Sequence, residues 1–190
     1  MRLIEPDEGE ISVFGQDILA LKDEALTRLR MRIGYVFQGG ALYDSLSVRQ
    51  NLEFPLKHAN KSRPSQPEIN ALVEEALLNV GLIGSIDKMP SELSGGMMKR
   101  IGLARTLILK PDILLYDEPT TGLDPVTSGE ISELILKVQE EYHTSSLIIS
   151  HDLKCIGITA NQVRVLKEGK FTAGGTIEEM KRHEDPFVNS

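Results

Sequence analysis

Leu114-Leu115-Tyr116-Asp117-Glu118-Pro119 sets two adjacent carboxylates between an apolar run and a proline. The run Ile113 to Tyr116 lacks polar alternation, which suits a strand buried on both faces of a parallel sheet. Ligands of open α/β sheets gather at the carboxyl ends of such strands. Side chains alternate along a strand, so Asp117 and Glu118 face different ways. One acid can then hold a metal while the other meets a water. Mg²⁺ fits this layout, because it takes one or two carboxylates and completes its shell with substrate phosphates. On their own, the two acids read equally well as solvated residues of a strand-end turn.

Leu93-Ser94-Gly95-Gly96-Met97 opens a helix running through Ile101, Ala104, Arg105 and Ile108. Two glycines let backbone N–H groups approach an anion, and the helix N-terminus adds its positive dipole end. Ser94 can cap the helix or bond a phosphate oxygen. In isolation this stretch reads more simply as an N-cap and a flexible turn. Gln38 follows the strand-like Tyr35-Val36-Phe37, and alone it is a polar residue leaving a strand. His151 follows Leu147-Ile148-Ile149-Ser150, where an imidazole can donate to a phosphate, although a structural histidine is the commoner case. Asp124, in Thr121-Gly122-Leu123-Asp124-Pro125, has the form of an N-cap followed by proline at the first helical position.

The elements that must position these groups follow from periodicity. Glu10 to Phe14 and Ile33 to Phe37 carry strand signals, with a helix expected over Asp23 to Met31. Residues 42 to 110 are helical in character. Ile69, Leu72, Val73, Ala76, Leu77 and Val80 keep helical spacing, with Pro67 near the start and Gly81 at the end. Lys57 to Pro67 reads as a surface loop. Ile113 to Tyr116, a helix with Ile131, Leu134, Ile135, Val138 and Tyr142 on one face, and the buried run Leu147 to Ile149 form a βαβ unit. Gln162 to Lys167 and Lys170 to Ala173 flank Glu168-Gly169 as a hairpin. Thr176 and Glu179 form a capping box for a last short helix. The fold class is mixed α/β with a helical insertion: core portions over 1–40 and 111–190, and a helical subdomain over 41–110.

Composition bounds the rest. The 190 residues are 41% hydrophobic and 26% charged, ordinary for one globular domain. A net charge of −7 argues against a broad nucleic-acid surface. Cys155, the one cysteine, forms no internal disulfide and fits a reducing compartment. No apolar run approaches the roughly 18 residues of a membrane span. The opening Met1 to Glu8 turns acidic and lacks the apolar core of a signal peptide. A cytoplasmic protein is expected, touching membrane only through a partner.

The order of these signals is more specific than any one of them. Gln38 at a strand end, Leu93-Ser94-Gly95-Gly96-Met97 at a helix start, Asp117-Glu118, Thr121 to Asp124 and the strand-end His151 resemble the ABC ATPases in sequence and spacing, from Leu3 through Val188. The resemblance implies a RecA-like P-loop NTPase core of the ABC type with a small antiparallel β portion and a helical subdomain. It implies ATP and Mg²⁺ as cofactors, with Gln38 and Asp117 at the metal, Glu118 polarising the attacking water and His151 at the γ-phosphate. Ser94, Gly95 and Gly96 would bind the nucleotide held by a second ATP-binding subunit in a head-to-tail dimer, and Asp124, closing the D-loop Thr121 to Asp124, is a further nucleotide-binding residue. An integral membrane permease would dock a short helix near Leu42, Tyr43, Leu46 and Val48, which read equally well as partly core residues, leaving the chain peripheral on the inner face of the cell membrane. Phe37 to Val48 and Pro90 to Arg100, with Met97 where many importers carry Gln, resemble the subunits of MCE-type transporters of phospholipids and hydrophobic compounds. An MCE-type substrate-binding protein is then a further expected partner. Other readings are a soluble non-transport ABC ATPase of DNA repair or translation, and an inactive fragment keeping the dimer face. The long coiled coils or tandem ATPase domains of the former are not seen here.

One departure stands out. The phosphate-binding loop G-x-x-x-x-G-K-[ST] is absent; the only Gly-Lys pair, Gly169-Lys170, precedes Phe171 and has Arg164 where the first glycine belongs. Leu3 to Ile11 resembles the segment just after the helix that this loop opens, so the expectation is a chain lacking about the first forty family residues. That loop's amides and lysine cradle the phosphates. The 190-residue chain alone should therefore hydrolyse ATP negligibly in a steady-state assay. Magnesium-dependent turnover lost on Glu118→Gln would refute this.

Overall fold

A computed structural model of the chain describes residues 1–59 and 64–184. The last stretch of the expected resemblance, Asp185 to Val188, lies outside them, as do residues 60–63 of the expected 57–67 loop. The chain opens with a small antiparallel hairpin, β1 (Ser12–Val13) and β2 (Gln16–Asp17), followed by α1 (Asp23–Met31) and β3 (Ile33–Val36). Helices α2 (Val48–Ala59), α3 (Gln66–Asn79) and α4 (Gly95–Leu107) come next, joined by two short 3₁₀ turns. Then β4 (Ile113–Asp117), α5 (Pro125–Tyr142), β5 (Ser145–Ile149) and α6 (Leu153–Thr159) complete the α/β portion. A hairpin of β6 (Val163–Lys167) and β7 (Lys170–Gly175) leads to α7 (Ile177–Lys181).

Strands β3, β4 and β5 form one parallel sheet with β4 in the middle, pairing Val36 with Tyr116 and Tyr116 with Ile148. One face of this sheet packs into the main core through Val36, Leu114, Tyr116 and Ile148, against Ile101, Leu103, Ala104, Ile131 and Ile135. Burial of each large aliphatic side chain contributes about 1.5–3 kcal/mol, so α4, buried at Ile101, Leu103, Ala104 and Leu107, is the keystone of that core. It can sit so deep because it presents glycine where backbones meet. A Cβ on Gly102 would lie 2.7 Å from the Gly40 carbonyl oxygen, and one on Gly40 2.7 Å from that of Met98. The loop after β3 thus rests directly on the α4 backbone.

The helix termini obey their side-chain chemistry. Ser94 Oγ accepts from the Met97 N–H at 3.3 Å, and Asp124 Oδ1 accepts from the Val126 and Thr127 N–H groups at 3.0 and 3.1 Å. Thr176 and Glu179 form the expected capping box. Lys57 and His58 belong to α2 rather than to a loop, because the apolar face of Val48, Leu52 and Leu56 extends the helix through them. The hairpin at Glu168-Gly169 turns through positive φ at both residues, 49° and 75°, the geometry a two-residue connection favours.

The expected burial of the third strand on both faces is overturned. Leu147 to Ile149 is not buried on both faces: Leu147 and Ile149 are 62% and 61% exposed, and only Ile148 packs inward. β5 is an edge strand, and α1 with Ile18, Leu29 and Ile33 covers the sheet's second face only beneath β3 and β4. Leu153 and Phe37 are exposed as well. An apolar surface of this kind drives association. Sedimentation velocity should show the 190-residue chain self-associating with rising concentration, and Leu147→Ser with Ile149→Ser should abolish the trend. An unchanged concentration dependence in that double variant would count against it.

Candidate functional site

The parallel register brings three strand ends to one edge. β3 runs out into Phe37 and Gln38, β4 into Asp117 and Glu118, and β5 into Ser150 and His151. Asp117 and Glu118 do part ways: Tyr35 OH donates to Asp117 Oδ2 at 3.1 Å, while Glu118 turns toward β5. Glu118 has a φ of +46°, a left-handed conformation costly for a side-chain-bearing residue. Its N–H donates to the Ile149 carbonyl at 2.9 Å, and its Oε2 accepts from Thr121 Oγ1 at 3.0 Å.

His151 Nδ1 lies 2.9 Å from Glu118 Oε1, with the imidazole largely in solvent. The hydrogen bond to Glu118 and the charge of that carboxylate raise the histidine above its ordinary 6.5. Burial pushes the Glu118 carboxyl upward, but hydrogen bonds from His151 and Thr121 outweigh it and hold the group below its ordinary 4.5. A carboxylate held ionised, with one oxygen on an imidazole, can accept a proton from a bound water.

Asp117 keeps one oxygen away from Tyr35, and Gln38 stands exposed in the turn closed by the Gly40 N–H on the Phe37 carbonyl. Among the described residues no three acidic, imidazole or thiol groups converge as a cage. One carboxylate and one amide oxygen at neighbouring strand ends form a donor set that fits magnesium, whose shell is mostly phosphate and water. Ser94 and Gly95 are exposed at the start of α4, whereas Gly96 is buried, and a Cβ there would meet Thr127 Cγ2 at 2.6 Å. Gly96 is a packing requirement between α4 and α5. Asp124 caps α5, and hydrogen bonds from Thr127 first, then Val126, keep its carboxyl below the ordinary value.

Four residues at this edge escaped sequence reasoning. Lys99 is 9% exposed and donates to the carbonyls of Glu118, Pro119 and Thr121. Asp152 Oδ2 accepts from Thr120 Oγ1 at 2.8 Å, and Asp152 caps α6 through the Lys154 and Cys155 N–H groups. Tyr35 is the fourth. A signal existed for Lys99, since it shares a helical stripe with Gly96 and Leu103, both buried. Asp152 carried only the local signal of an N-cap, and Thr120 and Tyr35 carried none, because their partners are distant in sequence.

Acids, an imidazole and a glycine-opened helix around the carboxyl edge of a parallel sheet define a phosphate-handling α/β domain of the nucleotide-binding cassette type. The chain belongs to the ABC transporter family, whose profile matches residues 1–121. It is 38% identical over 95% of its length to the intermembrane phospholipid transport system ATP-binding protein MlaF of Haemophilus influenzae, covering 67% of that protein. At 37% identity it matches 98% of its length to a probable ribonucleotide transport ATP-binding protein, mkl, of Mycobacterium tuberculosis, and spans 51% of it. Among solved structures, cbiO1 of Clostridium perfringens, part of the transporter complex cbiONQ, superposes with a TM-score of 0.85 at 32% identity, covering 96% of this chain and 71% of the other. The dimeric ATP-binding cassette MJ0796 bound to ADP and Pi superposes at 0.81 with 30% identity, covering 92% and 76%. These likenesses place the fold as an ABC ATPase cassette.

The Glu118–His151 contact has a testable pH window. The histidine's raised value contributes stability below its unfolded value of 6.5 and loses it as pH climbs through the folded one. The carboxyl's lowered value contributes above its unfolded 4.5 and loses it as pH falls through the folded one. The pair is therefore most favourable between those limits. Glu118→Gln should bring the His151 midpoint down toward 6.5, read from the pH dependence of diethyl pyrocarbonate labelling; an unmoved midpoint would contradict the pairing.

Proposed function

We propose that this chain supplies the water-orienting and dimer-facing portion of the ATP-hydrolysing subunit of a membrane transporter for lipids or other hydrophobic compounds. The observation that carries this reading is the Glu118 carboxylate, held ionised beside His151 at the strand edge where Asp117 and Gln38 also end. Bound Mg²⁺ would supply charge neutralisation for the phosphates, with Asp117 and Gln38 as its protein ligands. Glu118 orients and deprotonates the attacking water, and His151 donates to the transferred phosphoryl group. Positioning and electrostatics of this kind are what phosphoryl transfer needs. The phosphate cradle itself has no counterpart in these 190 residues.

A second subunit completes the site. Ser94 and Gly95, exposed at the N-terminus of α4, would meet the nucleotide held by the opposing copy, and the Asp124 turn would lie against it. The dimeric MJ0796 cassette supports this arrangement. Lipid cargo is favoured by the similarity to MlaF, and an MCE-type protein is the partner that would present it. The chain would sit in the cytoplasm against the membrane's inner face; among the described residues no helix is long and apolar enough to cross a bilayer.

The permease has a place to dock. Tyr43 (45% exposed), Phe54, Pro55, His58 and Arg105 line an open groove of about 320 Å³ between the loop after β3 and helix α2. Tyr43 and Phe54 rings lie 4.8 Å apart, His58 stacks on Phe54, and the Arg105 guanidinium lies 5.6 Å from the Tyr43 ring. Buried Asn51 holds the loop, accepting from the Tyr43 N–H and donating to the carbonyls of Tyr43, Leu46 and Ser47. Val48, expected at this surface, is fully buried and belongs to the core instead, and Leu42 packs against that core. An aromatic groove of this form suits an amphipathic helix.

Protein tagged in its own cells should co-purify with an integral membrane permease. Tyr43→Asp should weaken that complex by about tenfold, a cost of 1.4 kcal/mol, with circular dichroism unchanged. Recovery of ribosomes or DNA-repair proteins without a permease would defeat the transporter reading.

A further inference from the structure

The Lys99 ammonium reaches beneath the catalytic turn from another element, helix α4. It leaves α4 five residues after the N-cap Ser94, and its Nζ lies 3.3, 2.8 and 2.7 Å from the carbonyl oxygens of Glu118, Pro119 and Thr121. An ammonium has three N–H donors, and here each has an acceptor. A buried lysine is costly unless so satisfied, and burial lowers its affinity for a proton while the nearby Glu118 charge opposes that. All three donors being engaged on backbone, Lys99 is not free to bind a phosphate.

The turn it grips is also held from α5, where Ser128 Oγ donates to the Thr120 carbonyl at 3.5 Å, and from the β5 side. The Glu118 N–H is tied to Ile149 at the end of β5, and Thr120 Oγ1 to Asp152 at the start of α6. Those two anchors fix the turn to the His151 side of the site. Among the described residues, Lys99 alone ties its carbonyls to α4 through a side chain. The residue at the head of this turn is Glu118, whose φ of +46° needs surrounding contacts to persist.

We propose that Lys99 is a positioning residue: it holds the 118–121 turn, and with it the Glu118 carboxylate, to helix α4, so that the placement of Glu118 follows the helix whose N-terminus carries Ser94 and Gly95. The inference rests on the reading of Glu118 as the group that orients water. It adds that the helix end facing the opposing subunit's nucleotide and the catalytic carboxylate of the same chain are joined by one side chain. Gly96 tightens the same junction, since the Thr127 side chain of α5 occupies the space where a Cβ on α4 would stand.

Hydrogen exchange read by mass spectrometry at micromolar protein tests this without nucleotide. Lys99→Met should speed exchange of the peptide spanning 117–123 by about tenfold, reflecting lost local opening energy, while peptides from α3 and the β6–β7 hairpin stay as in the parent. Lys99→Arg, which keeps a charged donor of similar reach, should restore the parent rate. Ile101→Val, which trims the same helix's buried face, should leave 117–123 unaltered. Unchanged exchange in Lys99→Met overturns the proposal, as does equal acceleration by Ile101→Val or failure of arginine to restore. Should Lys99→Met lose its cooperative unfolding transition, Lys99→Gln is read by the same criteria. Failure of an assembled permease complex to hydrolyse ATP would instead strike at the reading of Glu118 and leave the exchange result standing.

Discussion

Everything at the site depends on β4 being paired in parallel on both sides, with Tyr116 opposite Val36 on one neighbour and Ile148 on the other. Parallel strands end together, so three stretches lying 38, 118 and 151 residues into the chain release their polar groups at one edge. A one-residue slip of β5 would turn every side chain to the other face. It would also bury Leu147 and Ile149 in place of Ile148, and carry His151 away from Glu118. The βαβ connection through α5, anchored by the Asp124 cap and by Ile131, Ile135 and Val138 in the core, enforces the register.

Electrostatics at that edge is organised by burial gradients. Glu118 is sheltered enough to feel its neighbours yet stays ionised, because an imidazole and a hydroxyl meet its two oxygens. His151 remains in solvent, where it can approach and leave. Asp152, next in the chain, caps α6 and accepts from the Thr120 hydroxyl. Neighbouring residues thus divide the work between holding structure and meeting ligand, and the backbone alternation at the end of β5 is what separates them.

Much of this was legible from residue types. Asp124-Pro125, Ser94 and the Thr176–Glu179 pair declare their helix starts through side chains that bond their own local backbone, and such signals survive without tertiary context. Helix α1 follows from the spacing of Leu26 and Leu29, and the α/β class from apolar runs ending in polar residues. What stayed hidden has a common physical origin. The exposure of Leu147 and Ile149 depends on what covers the sheet, which no local pattern encodes. Lys99 on Glu118, Thr120 on Asp152 and Tyr35 on Asp117 join residues 19, 32 and 82 positions apart. The strand expected over Glu10 to Phe14 shrinks to β1, and its two-residue partner β2 is too short to show a period. Val48 illustrates the reverse error, an apolar residue beside a groove that belongs to the core behind it.

The contact of Gly40 with Gly102 bears on how force crosses the molecule. Side chains yield under load by changing rotamer, so interfaces made of them are compliant. Here the loop carrying Tyr43 and the middle of α4 touch peptide to peptide, with no rotatable group between them. A push delivered in the aromatic groove therefore meets a hard stop within a few residues and passes into the axis of α4 undamped. In mechanical terms the groove and the helix form a rigid crank, and whatever displaces one end sets the angle of the other.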